Sequence, residues 1–364
     1  MKTKINFILL AISILISASY CFDIKDLTIE QKIGQLFMVA AVADENLAHD
    51  CIHHKSYRMD KDYIEHLITQ YHIGGIVYLG KSDYHKQIER TQHFQNISEI
   101  PLIIGQDLEP GRVGAARLPD VCNYPSNQSL GENNDLEKTY QTSFAIGNLC
   151  KTLGVHINFA PVADVNSNPD NPIINDRAFS NDPGLVACHA YAFVTGLHDA
   201  GIIACAKHFP GHGDTRVDSH LSLPRINHTK ERLEAIELYP FKKLIAQNIP
   251  AIMVGHLSVS AYEATPDTPA TMSYSIVTEL LRNKLGFQGL IITDALDMAA
   301  VTLHYENGSP ELHALLAGND ILLCPVDVPA AVSAIKKALA DRLISEQEID
   351  AHIERILLIK NNLS

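Results

Sequence analysis

Ile202-Ile203-Ala204-Cys205-Ala206-Lys207-His208-Phe209-Pro210-Gly211-His212-Gly213 opens as an unbroken apolar run and turns polar in one step at Lys207. A strand with one wet face alternates apolar and polar residues, whereas a continuous run of this kind reads as a parallel strand buried on both faces. Runs at 35–41, 75–79, 101–106, 157–160, 251–254, 290–293 and 320–324 share the pattern, which makes eight with 202–206. Helical signals lie between them. Thr28-x-x-Gln31 and Ser345-x-x-Glu348 have capping-box spacing, the second opening a helix to about Lys360, and 230–246 reads as one amphipathic helix. Eight buried strands alternating with helices predict an α/β fold, a (β/α)8 TIM barrel. A doubly wound open sheet is the alternative, but the G-x-G-x-x-G turn expected after its first strand is absent. No Pro/Gly/Ser-rich linker or internal repeat divides the chain, so residues 20–364 are expected to form a single barrel domain.

Composition narrows the function. Of 364 residues, 42 are acidic and 29 are Lys or Arg, giving a formal charge of −13. Such a chain repels a phosphate backbone, and nucleic acid is excluded as a partner. Residues 1–19 carry Lys2 and Lys4, then an apolar core, then Ser17, Ala18 and Ser19: the layout of a secretory signal peptide. Export to the periplasm or medium is expected, with no integral membrane span, because no later segment has eighteen consecutive apolar residues. Cys21 offers a lipoprotein alternative, disfavoured by the bulk of Tyr20. The seven cysteines include no C-x-x-C or other metal-like spacing, and Cys205 and Cys324 read as small core residues.

The polar residues that follow the strands are the informative ones. The third run ends at Asp107, the fourth at Asp164, the fifth at Lys207–His208, the sixth at His256 and the seventh at Asp294. In a barrel these ends converge on one mouth, where catalytic side chains sit. Residues 207–220 pack three His, two Asp and a Lys around two Gly and a Pro, and read largely as loop. Within it, Asp218 and His220 are two apart and can face one another, so the carboxylate would orient the imidazole and favour its protonated form. Asp294, delivered by a stiff strand, suits a nucleophile; Asp297, beyond the strand, suits a helix cap or an exposed position. Asp107–Val113 and the Asn/Pro-rich stretch from Asn166 to Arg177 could hydrogen-bond sugar hydroxyls, or equally form turns and ion pairs.

Together these segments resemble the β-N-acetylhexosaminidase branch of glycoside hydrolase family 3. The resemblance rests on K-H-F-P-G-H-G at 207–213 with D-S-H at 218–220, supported by D-x-E-x-G-R-V at 107–113, N-x-N-P-x-N-P reaching Arg177, and T-D-A-L-x-M at 293–298. It implies a retaining exo-β-N-acetylglucosaminidase that needs no cofactor or metal and takes a small oligosaccharide or muropeptide. By the same resemblance Asp294 is the nucleophile, His220 the general acid/base and Asp218 its dyad partner. Asp107, Arg177, Lys207 and His208 hold the terminal N-acetylglucosamine. Other members take the acid/base from a second domain, and here the D-S-H loop is expected to supply it. Leu108 and Pro110 depart from the usual D-Q-E-G-G-R-V. No oligomeric state is assigned. The alternatives are an N-acetylglucosaminide phosphorylase, a metal-dependent barrel hydrolase using His208, His212, His220, His256 and Asp294, and an inactive sugar-binding protein. The metal reading lacks both an H-x-H after the first strand and H-E-x-x-H anywhere.

Overall fold

The computed structural model describes residues 22–44, 59–113, 117–305 and 309–363. The expected leader, with Cys21, lies outside the described residues. All eight runs form strands of one parallel sheet: β1 Phe37–Ala41, β2 Gly75–Tyr78, β3 Ile103–Gln106, β4 Ile157–Asn158, β5 Ile203–Phe209, β6 Ala251–Val254, β7 Leu290–Thr293 and β8 Leu322–Leu323. Each pairs with its sequence neighbour. β8 returns to β1 through Phe37 opposite Leu322, and a bridge between Ile292 and Ile321 closes the ring. This is a (β/α)8 barrel. Its strand side chains are almost wholly buried, the physical reason the runs are continuous rather than alternating. No helix among the described residues is long and apolar enough to cross a membrane.

Local sequence explains the helices. Thr28 caps Ile29–Gln35 and Ser345 caps Glu346–Lys360, each with the reciprocal bond of a capping box. The first apolar run therefore begins inside a helix, since Gln35 is that helix's last residue. The segment expected as one helix over 230–246 is two, Lys230–Ala235 and Leu238–Ala246. Pro240 is the reason: it has no N–H to bond the Ile236 carbonyl, and its ring would clash there.

The two strand-fed ends of the barrel differ in chemistry. At the N-terminal end, Asp320 just ahead of β8 has no solvent exposure. Its Oδ1 accepts from His352 Nδ1 and Arg355 Nε, and its Oδ2 from Arg282 and the Ile291 N–H, all at 2.8 Å. One carboxylate thus ties the last strand to β7, to the helix-like turn bearing Arg282 and to the C-terminal helix. Burial alone would raise its pKa, but His352 and the two arginines outweigh that and hold it below the usual range.

Removing one partner of a buried ion cluster strands the rest, so Asp320→Asn should cost about 3 kcal/mol in urea unfolding without altering the barrel mouth. The folded-state pKa lies below the unfolded value. The wild-type advantage over the variant is therefore complete above about pH 4 and shrinks as pH falls further. An advantage that persists unchanged to pH 2 would show that the carboxylate's charge is not what stabilises.

Candidate active site

The C-terminal strand ends surround a cavity of about 490 Å³ with an apolar floor of Val77, Met253 and Leu323. All seven residues named from sequence as candidates meet at this mouth. Six of them (Asp107, Arg177, Lys207, His208, His220 and Asp294) line the cavity, and Asp218 stands behind His220.

β5 runs further than its apolar stretch suggests. Lys207 and His208, expected at the end of the fifth run, belong to the strand itself, which ends at Phe209. Between Ala206 and Phe209 the pairing with β6 slips, three steps on β5 matching two on β6. A bulge of this kind re-aims side chains, and here consecutive residues, Lys207 and His208, both line the cavity.

Lys207 is 3% exposed, and its ammonium lies 2.6 Å from both Asp107 Oδ1 and Glu109 Oε1. Glu109 is also gripped by Arg177, whose Nε and Nη2 reach its two oxygens at 2.9 and 2.8 Å. Two carboxylates and two cations thus form one chain joining the loops after β3 and β4 to the end of β5. Burial opposes the charge on Glu109, but Arg177 and Lys207 hold its pKa far down. Burial likewise opposes the charge on Lys207, and Asp107 and Glu109 win, raising its pKa. Asn127 donates to the Arg177 carbonyl at 2.6 Å.

His208 is fixed by Asp164, a fully buried carboxylate that accepts from His208 Nδ1 at 2.7 Å and from the His212 N–H at 2.6 Å. Burial works against the Asp164 charge, but His208 and His212 outweigh it and lower its pKa. An ionised carboxylate only accepts, so Nδ1 of His208 carries a proton and the far edge of the ring faces the cavity.

Asp294 follows β7 directly. Its N–H continues the ladder to Val254, and its Oδ1 accepts from the Ala295 N–H at 2.9 Å. Burial would raise its pKa; the imidazoles of His208 and His256 and the Ala295 N–H lower it instead, keeping a carboxylate poised at the cavity wall. It does not cap a helix, and neither does Asp297: the next helix, Ala299–Thr302, starts after Met298 without a side-chain cap. His256 donates from Nε2 to the Ala295 carbonyl and meets Thr271 through Nδ1, so it holds the backbone beside Asp294.

His220 Nδ1 lies 2.7 Å from Asp218 Oδ1, which also accepts the His220 N–H at 2.9 Å. Burial opposes the Asp218 charge and these bonds prevail, lowering its pKa. The ionised partner makes Nδ1 the donor. The loop sits at the cavity rather than away from it, because the Ser219 carbonyl accepts from Ala300 N–H at 3.3 Å.

Several residues went unassigned in sequence. Glu109 was visible in D-x-E, and Asp164 at a strand end, but neither showed its partners. Asn168 and Asn171, read as able to bind sugar, instead brace the loop, donating to the Thr215 and His212 carbonyls at 3.0 and 2.9 Å. Gly213 has a steric cause: a Cβ there would lie 1.8 Å from the Val165 carbonyl oxygen. Cys324, read as core, also lines the cavity. Among the described residues no three His, Cys, Asp or Glu form a metal-holding group.

The profile described as "Glycosyl hydrolase family 3 N terminal domain" matches residues 28–359. Beta-hexosaminidase A of Pseudoalteromonas piscicida is 34% identical over 82% of this chain and 55% of its own length. Beta-hexosaminidase LpqI of Mycobacterium tuberculosis is 32% identical over 81% of this chain and 77% of its own. A solved glycoside hydrolase family 3 beta-N-acetylglucosaminidase from Paenibacillus sp. str. FPU-7 superposes with a TM-score of 0.83 at 35% identity, covering 93% of this chain and 63% of that one. The chain therefore spans between just over half and about three quarters of these relatives.

Two carboxylates of this mouth should respond to neutralisation by very different amounts. Glu109→Gln leaves Lys207 and Arg177 short of a charge in a buried site and should cost about 3–5 kcal/mol in chemical denaturation. Asp176→Asn breaks only the exposed pair with Arg112 and should cost under about 1 kcal/mol. Comparable losses would mean the buried cluster is not what ties the loops together.

Proposed function

The chain belongs to glycosyl hydrolase family 3, and on that premise we propose that it is a retaining exo-β-N-acetylhexosaminidase, releasing terminal N-acetylglucosamine through a covalent glycosyl-enzyme. One observation carries the reading: a lowered-pKa carboxylate, Asp294, and an imidazole held by Asp218 line the same cavity. In the first displacement Asp294 attacks the anomeric carbon while Nε2–H of His220 protonates the departing oxygen. In the second, neutral His220 takes a proton from water, which cleaves the ester and restores the original configuration. The imidazole replaces the second carboxylate usual in retaining glycosidases, and it comes from the barrel's own loop.

Asp107, Lys207, Arg177 and His208 bind the terminal sugar in this scheme. A charged, polar wall facing an apolar floor suits a hydroxyl-rich ring bearing an acetamido methyl. The relatives named beta-hexosaminidase and beta-N-acetylglucosaminidase support the choice of sugar. Residues 1–19 support export, which would bring the enzyme to peptidoglycan fragments or chitin-derived saccharides as a wall-turnover or scavenging hydrolase.

The chain should release nitrophenol from the aryl N-acetylglucosaminide in phosphate-free buffer, and far less from the glucoside. Release that required phosphate would reassign it as a phosphorylase. Tight sugar binding without release would make it a binding protein. Asp294→Asn should lower kcat at least about 10³-fold while still binding sugar. His220→Ala should slow a disaccharide by roughly 10²–10⁴-fold but an activated aryl glycoside much less; equal losses would remove His220 from the acid role.

A further inference from the structure

Between the sugar-facing His208 and the acid/base segment stands a second imidazole to which the proposed chemistry gives no task. His212 is buried, and both its ring nitrogens are engaged. Nδ1 lies 2.7 Å from Thr215 Oγ1, and Nε2 lies 3.2 Å from Oγ of Ser219. Ser219 separates Asp218 from His220 and is itself buried. From the other side, the His212 N–H is held by Asp164, the carboxylate that also fixes His208. The rings of His208 and His212 meet edge to face with centroids 5.8 Å apart. Asn171 grips the His212 carbonyl and Thr215 Oγ1 at once.

We infer that His212 is a positioning residue that latches the acid/base loop through Ser219, so that the group holding the sugar and the group protonating the leaving oxygen share one anchor, Asp164. This rests on the hydrolase reading above. A neutral imidazole suits the task, because it offers one donor and one acceptor to two hydroxyls. Burial, then the neighbouring His208, pushes its pKa down to about 4, so the ring is neutral at physiological pH. With both nitrogens engaged it is not the proton donor. Its neighbour across the hydroxyl is the residue pair that performs that step, and a loop displaced by an ångström or so loses proton transfer before it loses sugar binding.

The test is the leaving-group dependence of Ser219→Ala, with Ser219→Thr as the conservative control. Ser219→Ala should lower kcat about tenfold on an N-acetylglucosamine disaccharide and less than about twofold on the dinitrophenyl glycoside, with KM little changed. Ser219→Thr, which restores the hydroxyl, should recover most of the disaccharide rate. Thermal melts of both variants at wild-type values keep a folding defect apart from a positioning one, and His212→Gln provides a second removal of the same bond, with the same expected split. Equal loss on both substrates in folded protein, or no loss on either, overturns the latch. Wild-type protein inactive on every glycoside would instead overturn the hydrolase reading on which it rests.

Discussion

A buried ammonium is tolerable only when it is paired, and Lys207 is paired twice, with Asp107 and Glu109 at 2.6 Å each. That requirement organises the mouth. Asp107 and Glu109 leave the end of β3, Lys207 belongs to β5, and Arg177, on the loop after β4, completes the chain through Glu109. Two loops and a strand end that the barrel merely brings near one another are locked into register by charges that cannot be left alone. Asp164 repeats the principle with His208 and His212. The cavity is therefore walled by side chains whose own pairing holds them still before any sugar arrives, which is what orientation of a reacting bond needs.

That arrangement separates three kinds of polar residue at one barrel rim. The Asp107–Lys207–Glu109–Arg177 chain and His208 define one wall of the cavity. Asp294 keeps its charge because imidazoles and a backbone N–H surround it, while His256 holds the peptide beside it. The loop from Gly211 to His220 is fastened by Asn168 and Asn171, within itself by the His212–Ser219 contact, and across by Ala300. The opposite end of the barrel uses the same chemistry for a different purpose: Asp320 gathers His352, Arg282 and Arg355 to close the sheet. Stability and chemistry are thus assigned to opposite ends, as barrels generally arrange them.

Much of this was legible in the residues. Strands buried on both faces advertise themselves as continuous apolar runs, which marks all eight, and the third to the seventh also carry a telling polar residue at their end. What escaped detection depends on distance or on local geometry. Glu109 and Arg177 are 68 residues apart, and no spacing rule connects them. The bulge that turns both Lys207 and His208 inward has no compositional mark. Asn168 and Asn171 carry turn chemistry and sugar-binding chemistry equally well, and only their bonds to the His212 segment decide for the brace. The helix break before Pro240 could have been read from the proline; the apolar spacing across it concealed the break.

The most direct measurement concerns where the sugar becomes attached. Incubation with a fluorinated N-acetylglucosaminyl fluoride that slows breakdown of the intermediate, followed by proteolysis and mass spectrometry, should find the label on the peptide containing Asp294, on its carboxylate. A label on any other side chain, or no label in protein that still turns over the aryl substrate, would contradict a covalent route through that aspartate.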